Sequence, residues 1–345
     1  MSPMVEGPGV TRRRAPVVLL WGLPEEEPLA AVHHALRALA AETIMVDQRR
    51  ALSTRVLPRP SGPVLCQPDR ALPLAEVTAA YLRPYPFPPR AARHGPARLV
   101  AYRHVTRLEH ELWQWAATTT ATVVSRPVPA ASNSTKPMQT RAARACGLRV
   151  PDTLLTNDPE QVRAFAARHG PVIYKAAGGT RTLTGLLDLA DARRLERLST
   201  CPIYFQKYIE GSNVRVHVAG ADVSAVEITS DAVDYRRHVQ KMVPTALPER
   251  IAARCRAVTA ALGLIVAGID LIRTPEGEWY FLEANPSPAF TFYPDGHEVG
   301  ASIARLLVSG PIADDSHRNR SLDARVGLAG VARRDDAAPG AVALG

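Results

Sequence analysis

The stretch Gly268–Pro288, GIDLIRTPEGEWYFLEANPSP, decides how this chain is read. Two strand-like runs, Ile269–Ile272 and Trp279–Ala284, flank Thr274-Pro275-Glu276-Gly277, which has the chemistry of a tight turn. Side chains alternate along a strand, so Glu283 and Asn285 share one face while Leu282 and Ala284 share the other. Folding the runs back about the turn brings Asp270 opposite Leu282 or Glu283. Three oxygen donors, Asp270, Glu283 and Asn285, then converge on one spot. Such a set suits Mg²⁺, which takes few protein ligands when phosphates supply the rest. Taken alone, the same pattern also describes an exposed hairpin with ordinary polar residues, so its neighbours must decide.

Just upstream, residues 247–263 have a helical pattern. Before them Val214, Val216 and Val218 alternate with Arg215 and His217, the signature of a half-buried strand with a basic outer face. Gly220-Ala221-Asp222 turns that strand into Val223–Ile228, and the polar run Asp234–His238 reads as either loop or site. Further back, Pro202–Ile209 is apolar and aromatic with Gln206 and Lys207 in its middle. The strand Val172–Lys175 delivers Lys175 to a loop containing Gly178, Gly179 and Thr180, whose backbone N–H groups can lie on phosphates. The loop lacks the GK[ST] ending of a P-loop, and a Gly-Gly pair also marks plain turns. Lys136-Pro137 follows the capping residues Asn133-Ser134-Thr135 and opens a helix to about Cys146. That puts Lys136 at a helix N-terminus, a place that favours anions. Between these lie a strand at Pro151–Thr156 and a helix capped by Asn157–Glu160 that runs to Arg168. Downstream of the hairpin, His297–Val308 is the last helix, and 311–345 reads as a flexible tail poor in large apolar residues.

The N-terminal third has a different rhythm. Residues 1–14 read as disordered. Val17–Trp21 is a buried-strand run ending at Gly22, a helix opens at Pro28 with Leu29, Val32, Leu36 and Leu39 on one face, and Thr43–Val46 is the next strand. This βαβ order predicts a small parallel sheet covered by helices, and no GxGxxG fingerprint accompanies it. Residues 57–75 are rich in Pro and Gly and read as connection. Ala79–Arg83 is a further strand that runs into a proline-rich segment, Pro84–Pro89. Arg83, at the strand's end, is either a ligand contact or a solvated edge arginine. Residues 97–117 carry the longest helix signal, with Trp113 and Trp115 expected in a core or interface, and Val123-Val124 closes the region. The expected division is 15–130, then 131–310 with lobes of about 131–205 and 206–310.

Composition bounds the rest. The 345 residues suffice for two domains with sizeable cores, and 46% apolar content is ordinary. There is no run of about 18 apolar residues and no apolar signal segment near Arg12-Arg13-Arg14, so no membrane partner is expected. The four cysteines, Cys66, Cys146, Cys201 and Cys255, lie far apart with no metal-ligand spacing, which reads as reduced thiols in a cytoplasmic protein. The net charge of +9 is dispersed, without zinc-finger spacing or an RNP-like motif, so nucleic acid is not expected. Nucleotide phosphates and an acidic peptide fit the charge better.

In order, Lys136 before a helix, VIYKAAGG, FQKYIEG, NVRVHVAG, DYR, and GIDL with LEANPSP resemble the ATP-grasp superfamily. Within it they are most similar to the branch of RimK-like ribosomal-protein glutamate ligases and ATP-grasp ribosomal-peptide maturases. The resemblance covers about Asn133–Gly310, with a looser likeness of the N-terminal part, including YLRPYPF, to the pre-ATP-grasp domain. It implies an α/β (α+β) chain: an N-terminal pre-ATP-grasp βαβ domain followed by a two-lobed ATP-grasp fold. By this resemblance Lys136 and Lys175 hold ATP phosphates, and Gly178, Gly179 and Thr180 form a phosphate lid. Gln206, Lys207, Tyr208 and Ile209 form the hinge that reads adenine through its backbone, and Asn213 lies near the ribose. Arg215 and Arg236 clamp a phosphate or acyl phosphate, a task suited to planar guanidinium groups. Asp270, Glu283 and Asn285 match the ligands of Mg²⁺, with Mn²⁺ as an alternative. Two positions depart from the family pattern: Lys207 stands where glutamate is usual, and Asn213 replaces aspartate, keeping hydrogen bonding without the charge.

The implied chemistry is ADP-forming ligation. A carboxylate attacks the γ-phosphate of ATP, and an amine or hydroxyl then displaces phosphate from the acyl phosphate. No nucleophilic side chain is needed; His217 and His238 either assist proton removal or are solvated histidines. The leading expectation is a ligase acting on a peptide, such as an acidic precursor peptide, to form ester or amide links. Alternatives are an amino-acid or dipeptide ligase with a small acceptor, and an ATP-binding protein without ligase chemistry. The sequence leaves homo-oligomer formation open.

Overall fold

A computed structural model describes residues 15–85, 96–176, 184–188 and 201–310. The expected tails at 1–14 and 311–345, the end of the proline run and the glycine loop at 178–180 lie outside these residues.

The chain begins with β1 (Val17–Gly22), α1 (Glu27–Ala38), β2 (Glu42–Asp47), β3 (Arg55–Leu57), β4 (Val64–Gln67), β5 (Arg70–Pro73), β6 (Ala79–Leu82), α2 (Pro96–Thr118) and β7 (Thr122–Val124). Strands β2-β1-β6-β7 form a parallel sheet, as the βαβ order predicts. All six residues of β1 are buried because both faces of the sheet are covered. Val17, Leu19 and Trp21 pack with Val105, Leu108 and Leu112 of α2. Val18 and Leu20 meet Leu29, Val32 and Leu36 of α1 and, from the far end of the chain, Ile303 and Leu307. Each such side chain contributes about 1.5–3 kcal/mol of burial free energy. Trp21 and Trp113 pack with ring centroids 4.8 Å apart and Trp115 is buried, so the tryptophans are core residues.

Residues 57–75 are not mere connection. Strands β3, β4 and β5 make a small antiparallel sheet. Its runs of three or four residues are too short to show a period, and the Pro and Gly between them mask the pattern.

A single helical turn, α3 (Pro127–Ala130), leads to α4 (Lys136–Ala145), β8 (Thr153–Thr156), α5 (Pro159–His169), β9 (Val172–Ala176), β10 (Gly185–Leu186) and β11 (Ile203–Lys207). The antiparallel order is β10-β9-β11-β8. Helix α5 starts where its sequence says it should: Asp158 accepts a hydrogen bond from Glu160 N, and Pro159 occupies the first turn.

The last part holds β12 (Ser212–Ala219), β13 (Asp222–Thr229), β14 (Lys241–Pro244), α6 (Glu249–Ala261), β15 (Val266–Arg273), β16 (Trp279–Asn285) and α7 (Gly296–Ser309). Five antiparallel strands lie in the order β14-β13-β12-β15-β16. Val214, Val216, Val218, Ile269, Leu271 and Phe281 pack one face of this sheet onto Ile251, Cys255 and Val258 of α6. The strands of the opening hairpin are longer than the sequence suggests, because the turn is the only strong punctuation near them.

That hairpin carries an irregularity. Asp270 pairs with Glu283, but Leu271 pairs with Phe281, so Leu282 is an extra residue on β16. The expected opposition of Asp270 and Glu283 is therefore present. Leu282 does not join Ala284 in the core, however, and lines the same cleft as Glu283. A β-bulge produces this local change of phase.

Candidate functional site

Strands β9 and β11 on one side, and β12, β15 and β16 on the other, border a cleft of about 300 Å³. Lys136, Lys175, Gln206, Lys207, Tyr208, Ile209, Asn213, Arg215, Arg236, Asp270, Glu283 and Asn285 all line it. The structure thus brings together, among the described residues, every one that the resemblance assigned to ATP, metal or the phosphate clamps. Gly178, Gly179 and Thr180 lie outside the described residues.

Lys136 opens α4 as expected, with Thr135 as the cap and Pro137 behind it. Lys175 sits on β9 opposite Tyr204 of β11 and is buried. Its Nζ donates to Gln206 Oε1 at 3.3 Å and lies 5.4 Å from the Tyr204 ring centroid, while the Tyr204 and Thr140 hydroxyls are 3.2 Å apart. Burial pushes the Lys175 ammonium below its ordinary pKa, and the nearby Glu283 carboxylate opposes the shift. The Gln206 side chain is therefore committed on one side to Lys175. Its Nε2 is buried without a hydrogen-bond partner among the described residues.

Across the cleft, Arg215 of β12 is paired in register with Asp270 of β15. Arg215 Nη1 donates to Asp270 Oδ1 at 2.9 Å, and Tyr235 Oη donates to the same oxygen at 3.3 Å. Burial works most strongly against the Arg215 charge, but Asp270 together with Tyr293 and Tyr235 holds the guanidinium above its ordinary pKa. The Tyr235 and Tyr293 hydroxyls lie 2.9 Å apart, and burial raises both pKa values, so both phenols stay protonated. This tyrosine pair had no assigned role in the sequence, because Tyr293 follows the hairpin in a run, AFTFY, that reads simply as apolar.

Asp234–His238 resolves as a turn of 3₁₀ helix over Tyr235–Arg237. The buried Asp234 carboxylate holds Arg236 through Nε at 2.7 Å and Nη2 at 2.5 Å, and also accepts from Thr184 N at 3.0 Å. The bond to Asp234 raises the pKa of Arg236 above its ordinary value. Both expected anion clamps are thus charged and pre-oriented.

Metal fit can be judged from the donors. Asp270 and Glu283 are cross-strand partners, and Asn285 lies two residues beyond Glu283 on the same face. Asn285 Oδ1 accepts from Ser287 N at 2.9 Å, which fixes the amide. No cluster of three or more His, Cys, Asp or Glu suited to a metal exists among the described residues. Two carboxylates and an amide oxygen form a hard, incomplete set, which fits Mg²⁺ bound chiefly through phosphates and excludes a closed structural zinc site.

Three expectations change. Arg83 is not a solvated edge arginine and lies outside the cleft lining: its side chain is 9% exposed and forms a bidentate pair with Glu26, with Nη2 to Oε1 at 2.6 Å. Its Nη1 donates to Ser287 Oγ at 2.9 Å and Pro288 O at 3.0 Å, so Arg83 braces the loop after Asn285. His217 is buried, with Nδ1 2.8 Å from Asp295 Oδ2, and does not face the cleft. His238 is exposed and paired with Asp231 at 2.7 Å, outside the cleft lining. Neither histidine lines the cleft. A second hollow of about 400 Å³ lies beyond His217 against α7, but it contains none of the two lysines or the hairpin oxygens.

Comparison with known proteins agrees with this fold. A probable alpha-L-glutamate ligase 1 of Pseudoalteromonas atlantica is 28% identical over 180 residues, which is 47% of this chain and 57% of that protein. The chain thus matches little more than half the length of that relative. The macrocyclase MdnC of Microcystis aeruginosa MRC, solved with its precursor peptide MdnA, has a TM-score of 0.73 at 24% identity, covering 85% of this chain and 99% of that one. The ATP-grasp ligase PsnB, solved with a phosphomimetic variant of a minimal precursor, Mg and ADP, has a TM-score of 0.70 at 28% identity, covering 86% and 98%. No described helix is long and apolar enough to cross a membrane. The RimK-like ATP-grasp domain family matches residues 131–308, more than half of the chain, and this chain belongs to that family.

Proposed function

We propose that this chain is an ATP-dependent, ADP-forming ligase that joins a peptide carboxylate to an amine or hydroxyl through an acyl phosphate. The observation that carries the reading is the single cleft. It sets two lysines from one lobe against two clamped arginines and three hairpin oxygens from the other. Lys136 and Lys175 supply positive charge where polyphosphate would lie, and the partly desolvated Lys175 is held by Gln206. Arg215 and Arg236, on the other wall of the cleft, would stabilise the negative charge that builds as the acyl phosphate forms. Bound Mg²⁺, or Mn²⁺ in its place, would be held by Asp270, Glu283 and Asn285 and would neutralise phosphate charge. The likeness to PsnB, whose structure holds a precursor, Mg and ADP, supports a peptide as substrate. We also propose the division into 15–130, then lobes of 131–205 and 206–310, with activity in the cytoplasm.

The test is mass spectrometry of peptides incubated with the full chain, ATP and Mg²⁺, alongside ADP release. Loss of water from an acidic peptide, with stoichiometric ADP, is expected. Glu283→Gln should abolish it while leaving the circular dichroism spectrum intact. Modification of free amino acids alone would favour the small-acceptor alternative. ATP binding without acceptor-stimulated ADP release would refute ligation.

A further inference from the structure

Arg215 is held by more than Asp270. Its Nε donates to His217 Nε2 at 3.4 Å, and its guanidinium carbon lies 5.5 Å from the Tyr293 ring centroid. Beneath it is Gly268, where an added Cβ would lie 2.0 Å from Arg215 Nη2. No side chain can occupy position 268 while the arginine stays where it is. The guanidinium therefore fills a notch in β15 that only glycine leaves open.

His217 has its own anchor. Its Nδ1 is 2.8 Å from Asp295 Oδ2, and Ser224 Oγ donates to that same oxygen at 2.5 Å. His217 and Asp295 are each about one-twentieth exposed or less, and Asp295 immediately precedes α7. This is not a nucleophilic triad. Ser224 bonds the carboxylate instead of the imidazole, and the far ring nitrogen meets an arginine.

The bonding fixes the tautomer. Arginine has no acceptor, so the nitrogen facing Arg215 Nε–H must carry a lone pair. The carboxylate takes the proton-bearing nitrogen, which is Nδ1. Burial favours the neutral ring, consistent with a His217 pKa below its ordinary value. An imidazolium, or the Nε2–H tautomer, would set two donors face to face and push Arg215 out of its notch.

We propose that His217, oriented by Asp295, is a positioning residue that fixes Arg215 over the Gly268 notch for its role at the acyl phosphate. The role of Arg215 rests on the ligase reading above; the tether itself does not. The tether explains why a buried His–Asp pair lies outside the cleft yet adjoins its innermost arginine. It also links α7, which packs against the N-terminal sheet, to the clamp.

Two arms test this on the full chain. The first is ¹⁵N NMR of histidine-labelled protein, with His217 assigned by its loss in His217→Gln. The Nδ1–H tautomer at neutral pH is expected; an Nε2–H ring or an imidazolium overturns the tether whether or not ligation is observed. The second is peptide ligation kinetics. His217→Phe removes the acceptor from a charged donor and should lower kcat roughly 10- to 100-fold with KM for ATP unchanged. His217→Gln, which returns an acceptor near Nε2, should recover part of that loss. Gly268→Ala should lower kcat by closing the notch. Wild-type kcat in His217→Phe, or equal losses in His217→Phe and His217→Gln, overturns the proposal. Should His217→Phe fail to fold, the His217→Gln and Gly268→Ala kinetics and the NMR arm still decide it. Absence of any wild-type ligation with the Nδ1–H tautomer present would remove the ligase reading and leave the tether standing.

Discussion

Arg83→Met would convert a buried ion pair into an orphaned carboxylate. Arg83 and Glu26 side chains are each 9% exposed. The substitution keeps an apolar stem but removes three contacts to Glu26 and the two bonds to Ser287 Oγ and Pro288 O. Glu26 would keep the hydrogen bond from Leu29 N at 2.9 Å, by which it caps α1. Removing one partner of a buried pair costs about 3–5 kcal/mol, since the remaining charge is desolvated without compensation. At about 2 °C per kcal/mol for a chain of this size, the melting temperature should fall by roughly 6–10 °C. The assay is thermal denaturation followed by circular dichroism, run as a double-mutant cycle with Glu26→Gln. The double variant should recover part of the loss, because the amide no longer leaves a buried charge. An exposed pair would be worth about 1 kcal/mol or less. A shift below about 2 °C in Arg83→Met, with a raised KM for the peptide, would refute the bracing role and restore Arg83 as a ligand contact.

Two further predictions concern solution behaviour. Burial pushes the Cys255 thiol up to about 12, while Cys201 is exposed. Iodoacetamide at pH 8 should therefore label Cys201 first, and Cys255 only after denaturation, as read by peptide mass mapping; early labelling of Cys255 would contradict its place in the core. His217 is held below its ordinary value of 6.5 by burial, so between its folded pKa and 6.5 the unfolded chain binds more protons than the folded one. Stability should rise with pH across that window and be lost as pH falls through it. Urea midpoints at pH 5 and pH 7 should differ more for wild type than for His217→Gln, and equal differences would count against a buried neutral imidazole.

Sequence made the ATP-grasp half legible because its signals are local. Lys136-Pro137 after capping residues, Lys175 at a strand's end and the valine alternation around Arg215 are each set within a few residues. What it hid depends on distance along the chain. The partners of Arg83 lie 57 residues before it and more than 200 after it. His217 finds Asp295 78 residues away. Strand β14 at the sheet's edge is largely exposed, so it lacks the apolar alternation that marks a half-buried strand. Such pairings leave no periodic trace, and only the folded topology brings them together.

The hairpin shows how a conflict in local pattern can itself be a signal. In WYFLEAN, strict alternation would put Trp279, Phe281, Glu283 and Asn285 on one face. Trp279 and Phe281 are buried in the core with α6, so Glu283 and Asn285 would be buried there with them. Inserting Leu282 as the extra residue reverses the phase. Ala284 then pairs with Ile269 on the core side, and Glu283 pairs with Asp270 on the cleft side. The open edge of β16 is fixed at this point by Gln139 of α4, whose amide donates to Ala284 O at 2.7 Å and accepts from Ala284 N at 3.0 Å. The residue that holds this register thus lies about one helical turn beyond Lys136, on the helix that brings that lysine to the cleft. A shift of α4 would therefore move both Lys136 and the strand bearing Glu283 and Asn285, which couples the two walls of the cleft.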